Sequence, residues 1–374
     1  MRHLFNTYYN LKKTRNAKLV DSVLRCVLPK RPAKQKDIKS ILVVDLHLIG
    51  DIVRLTATLQ ELRLIYPEQK IVLLAGPWVL DILKNNSVLD DIIIYKAPWV
   101  VYQYTVKAVF GYVKLIQKLR RYQFDLGIDI RGDIRNIVTI YLSKVNRRVG
   151  FSATGGDYLL TDEVPYHTIQ TTMERNRAIT QYLGGEKVFM PKLWLDQEEK
   201  KRIEMFRSTH YGSVLIGISP GASQKKKQWG NDKVVALRTR LLKDPDVKLV
   251  WLLSPDDTEL EDQIKKYNEN RDIFLKGTLR DFILNIAKVD IYFGMDSAGA
   301  HIAAVFEKPS VICYGAFAPH HFLPLNEYAE IIYKGYDCSA CSPVCIHEHR
   351  CMESIEVKEV FEKINKFRVL RDKK

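Results

Sequence analysis

Gly50 and Asp51 close the stretch ILVVDLHLIGD (41–51), and a carboxylate in that place has chemistry open to it. The apolar run before it reads as a buried strand and the residues after it as an amphipathic helix, so Asp51 falls in a first helical turn. There it reads as a helix cap or as a first-turn acid stabilised by the helix dipole. The helix dipole keeps such a carboxylate ionised but also weakens it as a base. Nucleotide-binding loops usually carry three glycines. This one has Gly50 alone, expected to turn the backbone sharply and leave room for a substrate. Two other stretches place polar residues at strand ends, SPGASQKKKQW (219–229) and MDSAGAH (295–301). The triple lysine reads on its own as a solvated charge run. Asp296 and Ser297 stand where a helix begins, a position that caps the helix or offers its free N–H groups to a phosphate. His301, one turn on, is either a packed helix histidine or a ligand contact.

The elements that must carry these residues alternate along the chain. Strands are expected at 41–46, 70–76, 90–96, 124–130 and 147–151, with helices over 51–66, 106–123 and 173–183. Val109, Val113, Ile116 and Leu119 are expected on one face of the second of these helices. The character changes near 190, where MPKLWLDQEEKKR brings a proline and a charged helix start. A second series follows, with strands at 213–221, 247–254, 272–277, 290–296 and 309–315 and a last helix near 355–368 carrying Val357, Val360, Phe361 and Ile364 on one face. Repeated βα units with apolar strands predict two doubly wound, Rossmann-like α/β domains facing a central cleft. The expected divisions are an extension at 1–40, a first domain at 41–190, a second at 191–354, and a terminal helix at 355–374 that packs back on the first domain.

The 374 residues carry a net charge of +14, and residues 1–40 hold eleven Lys or Arg against two Asp, a net of +9. Within this extension Leu19, Val20, Val23, Leu24, Val27 and Leu28 recur at helical spacing, as in a helix that lies on a membrane or packs on the protein. No motif that reads nucleic acid accompanies the charge. No apolar run reaches the ~18 residues of a membrane span, and no secretory signal opens the chain, so a cytoplasmic protein is expected. Cys338, Cys341, Cys345 and Cys351 cluster near the end with His347 and His349 between them. They are structural thiols or ligands of a structural zinc.

LIGD (48–51), SPGASQKKKQW, MDSAGAH, NNSVLDDII, FDLGIDIRGDIRN and RRVGF occur in an order and spacing that resemble glycosyltransferase family 9, the lipopolysaccharide heptosyltransferases of GT-B fold. The resemblance spans about 41–365. It implies that Asp51 is the general base on the acceptor hydroxyl, with Gly50 beside it. It implies that Lys227, just before the Gln-Trp pair, neutralises the diphosphate leaving group, with Ser223 adding a hydrogen bond and Lys226 the alternative lysine. It implies donor contacts for Asp296, Ser297 and His301, and a ribose contact for Asp256, which otherwise reads as a helix cap. An anionic lipopolysaccharide core or lipid A-type acceptor would suit Arg54, Arg63, Arg131 and Arg135. Two departures stand out. Asp45 occupies a place where the family often has Lys or Arg, and Ala298 stands where Gly is usual, with Gly299 one place later.

The function expected from the resemblance is inverting, metal-independent transfer of a heptose from a nucleotide-diphosphate donor, with ADP-heptose foremost, to a lipopolysaccharide core, at an inner membrane surface met through the basic N-terminus. No cofactor is expected for catalysis. Transfer of another nucleotide sugar, an epimerase on the same frame, and a non-catalytic GT-B scaffold are the alternatives.

Overall fold

The computed structural model describes residues 22, 23, 25–33, 36–101, 103–165, 171–222, 224–267, 269–315, 319, 326–336, 347 and 350–371. Ser223, Cys338, Cys341 and Cys345 lie outside them, as does most of the N-terminal extension. The chain divides into two compact units, Met1–Pro191 and Lys192–Lys374.

The first unit is a six-stranded parallel sheet. Its strands are β1 (Ser40–Asp45), β2 (Lys70–Ala75), β3 (Asp91–Ile94), β4 (Leu126–Asp129), β5 (Arg147–Gly150) and β6 (Asp162–Glu163), in spatial order β3-β2-β1-β4-β5-β6. The second unit holds β7 (Val214–Ser219), β8 (Val247–Trp251), β9 (Asp272–Phe274), β10 (Ile291–Met295), β11 (Ser310–Tyr314) and β12 (Ala329–Tyr333), in order β12-β11-β10-β7-β8-β9. These are the same order: in each unit the first strand lies between the second and the fourth. Helices on both faces bury the sheets, so the central strands are apolar throughout rather than alternating. Ile41, Leu42, Val43 and Val44 of β1 are wholly buried. The expected strands are present; β6 and β12 were not anticipated, because two residues or a half-buried edge leave no apolar run to read.

Three expectations are corrected. Gly50 makes no sharp turn: it is the second residue of α1 (Ile49–Ile65), whose N-cap is Leu48, and it is not among the glycines at positive φ. Helix α2 (Val106–Tyr122) buries Leu115, Ile116 and Leu119, but Val109 and Val113 face solvent. In those first two turns it is Tyr112 that packs against the core, with its hydroxyl 2.9 Å from Thr139 Oγ1. The last helix, α3 (Val357–Arg371), packs on the second unit rather than the first. Val360, Ile364 and Phe367 share one core with Phe293, Val311 and Cys313 of β10 and β11.

The described part of the extension docks on the first unit. Leu28 packs against Ile137, Tyr141, Leu159 and Leu160. Tyr158 Oη donates to the Leu28 carbonyl at 3.0 Å and Tyr141 Oη to that of Pro29 at 2.5 Å. Val23 and Val27 remain exposed. Among the described residues no helix is long and apolar enough to cross a membrane.

Gly299 shows how closely the second unit packs. A Cβ there would stand 2.1 Å from the buried Tyr292 hydroxyl of β10. This is why glycine falls at 299. Gly299→Ala is expected to lower stability by about 1–3 kcal/mol. Adding Tyr292→Phe removes the nearest clashing atom and restores part of the loss, as thermal unfolding of the two variants will show.

Candidate active site

The strand order reverses between β1 and β4 in the first unit, and the carboxyl ends of those two strands open a crevice there. Asp51 arrives from β1 in the first turn of α1, and Arg131 arrives on the loop after β4. The two strands are direct neighbours, with Val43 opposite Ile128. One carboxylate oxygen, Asp51 Oδ1, accepts from Arg131 at 2.7 Å and from Arg54, one turn along α1, at 2.6 Å.

The Arg131 loop is built to hold its shape. The buried Asp129 carboxylate accepts from the backbone N–H groups of Gly132 (2.7 Å) and Asp133 (3.1 Å) and from the Asn136 side chain (3.0 Å). Gly132 has φ +72°, and a Cβ there would meet Ala153. Asp133 then caps α4 (Ile134–Leu142) by accepting from the Arg135 N–H. These bonds fix where the Arg131 backbone leaves the sheet, so the guanidinium reaches Asp51 without a search.

Asp45, Asp51, Ile130, Arg131, Phe151, Thr172, Arg175 and Asn176 line an open pocket. Burial raises the Asp51 carboxyl, but Arg131 and Arg54 outweigh it and hold Asp51 below the usual carboxylate range. Asp45, at the end of β1, is raised to about 6 by burial, against the pull of Arg131. Asp129 is pushed up to about 7 by burial. His47, whose backbone N–H donates to Asp45 at 3.1 Å, has its imidazole lowered to about 4 by burial and by Arg131, and stays neutral. The pocket therefore holds one firmly ionised carboxylate, one raised to about 6, and the guanidiniums of Arg131 and Arg175.

The second unit repeats the plan with the charges exchanged. Its strand order reverses between β7 and β10. Lys227, in a short turn after β7, donates through Nζ to Asp296 Oδ2 at 2.7 Å and to the Asp296 carbonyl at 3.3 Å. Asp296 follows β10 and precedes α5 (Ala298–Val305), whose N-cap is Ser297. Ser297 makes no side-chain capping bond, so the helix end keeps N–H groups for an anion. His301 is buried in this helix. Trp229 anchors the loop from below, donating to the Ile355 carbonyl at 3.0 Å.

The structure thus brings Asp51, Arg54 and Arg131 together, and Lys227 with Asp296. Asp256 is exposed on the loop after β8, where Asp257 rather than Asp256 accepts from the Ser254 N–H at 2.8 Å. Arg63 is not brought to the pocket. It sits twelve residues beyond Asp51, about 18 Å along α1. Its guanidinium there donates to the carbonyls of Val88, Tyr66, Pro67 and Gln69 and to Asp90, bracing the far end of the helix. Arg135 pairs with Asp133. Cys351 is a buried thiol in the second core. Thr172, Arg175 and Asn176 escaped the sequence reading. They lie at i, i+3 and i+4 of a polar helix, α6 (Thr172–Tyr182), and that one-sided polar spacing is the signal that could have found them.

The sequence profile of glycosyltransferase family 9 (heptosyltransferase) matches residues 112–349. The lipopolysaccharide core heptosyltransferase OpsX of Haemophilus influenzae is 23% identical over 79% of this chain and 84% of its own. Lipopolysaccharide heptosyltransferase 3 of Escherichia coli is 27% identical over 71% and 80%. Among solved structures, E. coli ADP-heptose lipopolysaccharide heptosyltransferase II has a TM-score of 0.71 at 20% identity, covering 89% of this chain and 99% of that one. A family 9 glycosyltransferase from Veillonella parvula has a TM-score of 0.76 at 17% identity, covering 90% and 99%. These structures share the two-unit GT-B fold.

The electrostatics set two opposite expectations. Asp51, held ionised, contributes stability that is present above pH ~4 and lost as pH falls below it. Asp51→Asn removes the negative charge between two guanidiniums and should cost about 2–4 kcal/mol at pH 7. The folded state binds the Asp45 proton more tightly than the unfolded chain, so Asp45 destabilises increasingly as pH rises from about 4 to about 6. Asp45→Asn, which can still accept from the His47 N–H, should therefore gain up to about 2–3 kcal/mol at pH 7.5 and little at pH 4. Melting temperatures across that range test both signs.

Proposed function

We propose that this chain, which belongs to glycosyltransferase family 9, is a glycosyltransferase that moves a heptose from ADP-heptose to a lipopolysaccharide core acceptor. The observation that carries the reading is the pair of opposite charges at the strand-order switch of each unit. The first unit supplies a carboxylate able to take a proton. The second supplies a cation and a helix N-terminus able to take up a leaving diphosphate.

In the proposed step Asp51 removes the proton from an acceptor hydroxyl. That oxygen attacks the anomeric carbon of the donor, and the bond from that carbon to the diphosphate oxygen breaks. Single displacement inverts the anomeric centre. The electron pair leaves with the nucleoside diphosphate, where Lys227 and the free N–H groups before α5 offset its charge, so the reaction needs no metal ion. Asp296 holds Lys227 in place by the 2.7 Å pair.

Asp51 is a poor base while two guanidiniums share it. Arg131 is the more exposed of the two, 26% against 6% for Arg54. An acceptor phosphate or carboxylate in the pocket would compete for Arg131 and raise the basicity of Asp51 as the acceptor binds. Arg175, on the same wall, suits the same anionic group. The reading also places the enzyme at the cytoplasmic face of the inner membrane, supported by the +9 charge of residues 1–40.

Calorimetry and turnover with ADP-heptose beside UDP- and GDP-sugars, and core acceptors with lipid A, test the reading. ADP-heptose is expected to bind and to turn over. Asp51→Asn, assayed well below its melting temperature, should keep donor affinity and lose about 10²–10⁴-fold in kcat. Lys227→Ala should lose about 10²–10³-fold in kcat/KM. Failure to bind any nucleotide sugar would sink the assignment.

A further inference from the structure

Helix α2 presents a face that the first unit does not use. Tyr104, Val106, Val109, Phe110 and Val113 are between 47% and 75% exposed, all within ten residues. At 100° per residue Val106, Val109, Phe110 and Val113 fall in one arc of about 100°. The residues that bury α2 against the sheet, Leu115, Ile116 and Leu119, lie in the next arc and in its second half. Lys107, Lys114, Lys118 and Arg121 fill an arc of about 60° on the other side of the apolar stripe. Thr105 caps the helix by accepting from the Ala108 N–H, so its exposed first turns are formed and ordered.

The charge around this stripe has one sign. From 92 to 124 the chain contains no Asp or Glu and six Lys or Arg. The acids that flank the segment are engaged: Asp91 accepts from Tyr122 Oη at 2.7 Å, and Asp125 accepts from Lys36 and from the N–H groups of Lys39 and Ser40. A helix with an exposed apolar stripe beside an unbroken cationic one has the chemistry of an element that lies in a lipid headgroup layer. A protein partner of ordinary composition would not call for six cations without one acid.

We infer that the exposed face of α2 docks on an anionic phospholipid bilayer. Val106, Val109, Phe110 and Val113 enter the headgroup boundary, and Lys107, Lys114, Lys118 and Arg121 meet lipid phosphates. This surface is separate from the pocket around Asp51 and from the N-terminal extension, part of which is tied down by the Leu28 and Pro29 carbonyls. It goes beyond the proposed chemistry, because it needs no particular substrate.

The test is co-sedimentation of the full chain with vesicles of phosphatidylglycerol and phosphatidylethanolamine, and with neutral phosphatidylcholine vesicles. Wild type should pellet with the anionic vesicles, and the Val109→Ser, Phe110→Ser double variant should lose at least ~10-fold in partition coefficient. Lys107→Glu with Lys114→Glu should lose as much, and more at low salt. Turnover on a water-soluble acceptor without lipid should stay within twofold for all variants, which separates this surface from the catalytic assignment. Equal pelleting of wild type and the apolar variant would assign membrane binding to residues 1–40 and overturn the inference. So would equal pelleting on neutral vesicles, no pelleting of wild type, or a wild-type dimer on gel filtration that the apolar variant dissociates.

Discussion

The reversal of strand order between the first and fourth strand of each unit is the constraint on which the rest depends. At that point the connections leave in opposite directions, so two loops face each other with nothing threaded between them. Each unit fills the gap with one ion pair: Asp51 with Arg131 in the first, Lys227 with Asp296 in the second. Neither pair is fully exposed, so neither is a surface pair of negligible worth. Neither is sealed in the core, where desolvation could cancel the attraction. Both are poised to exchange a protein partner for a ligand of the same charge.

Supporting bonds hold both loops in place. The Arg131 loop is held by Asp129, by Gly132 at positive φ and by the Asp133 cap. The Lys227 turn is held by Trp229, seated edge-on to Phe293 at 5.5 Å between ring centres and bonded to Ile355. A flexible loop would lose entropy each time it closed on a ligand; these loops have lost it on folding.

The first unit also stores charge in an unusual way. Arg131 lies among Asp45, Asp51 and Asp129, and burial raises two of the three while the guanidiniums depress the third. Their environments push apart the proton affinities of neighbouring carboxylates, the arrangement that sorts acids from bases in an active site. Asp45, a carboxylate where the family often keeps a cation, makes this pocket less positive than its arginines alone suggest.

The sequence by itself determined the central strands, because a parallel strand buried on both faces must be a continuous apolar run. It determined that Asp51 stands in a first helical turn and that Lys227 and Asp296 follow strands, because strand ends are marked by the first polar residues. It could not show that Arg63 points away from Asp51. Arg54 and Arg63 look equally basic in one dimension, and only the 1.5 Å rise per residue separates them along the helix. It could not show that Val109 and Val113 face solvent, since an apolar face reads the same whether or not a sheet lies beneath it. It missed Arg175 and Asn176, which join Asp51 only because α6 packs on α1. Local spacing fixes which residues share a strand end or a helix face. Which faces meet, and therefore which charges pair, is decided by the order in which the strands assemble.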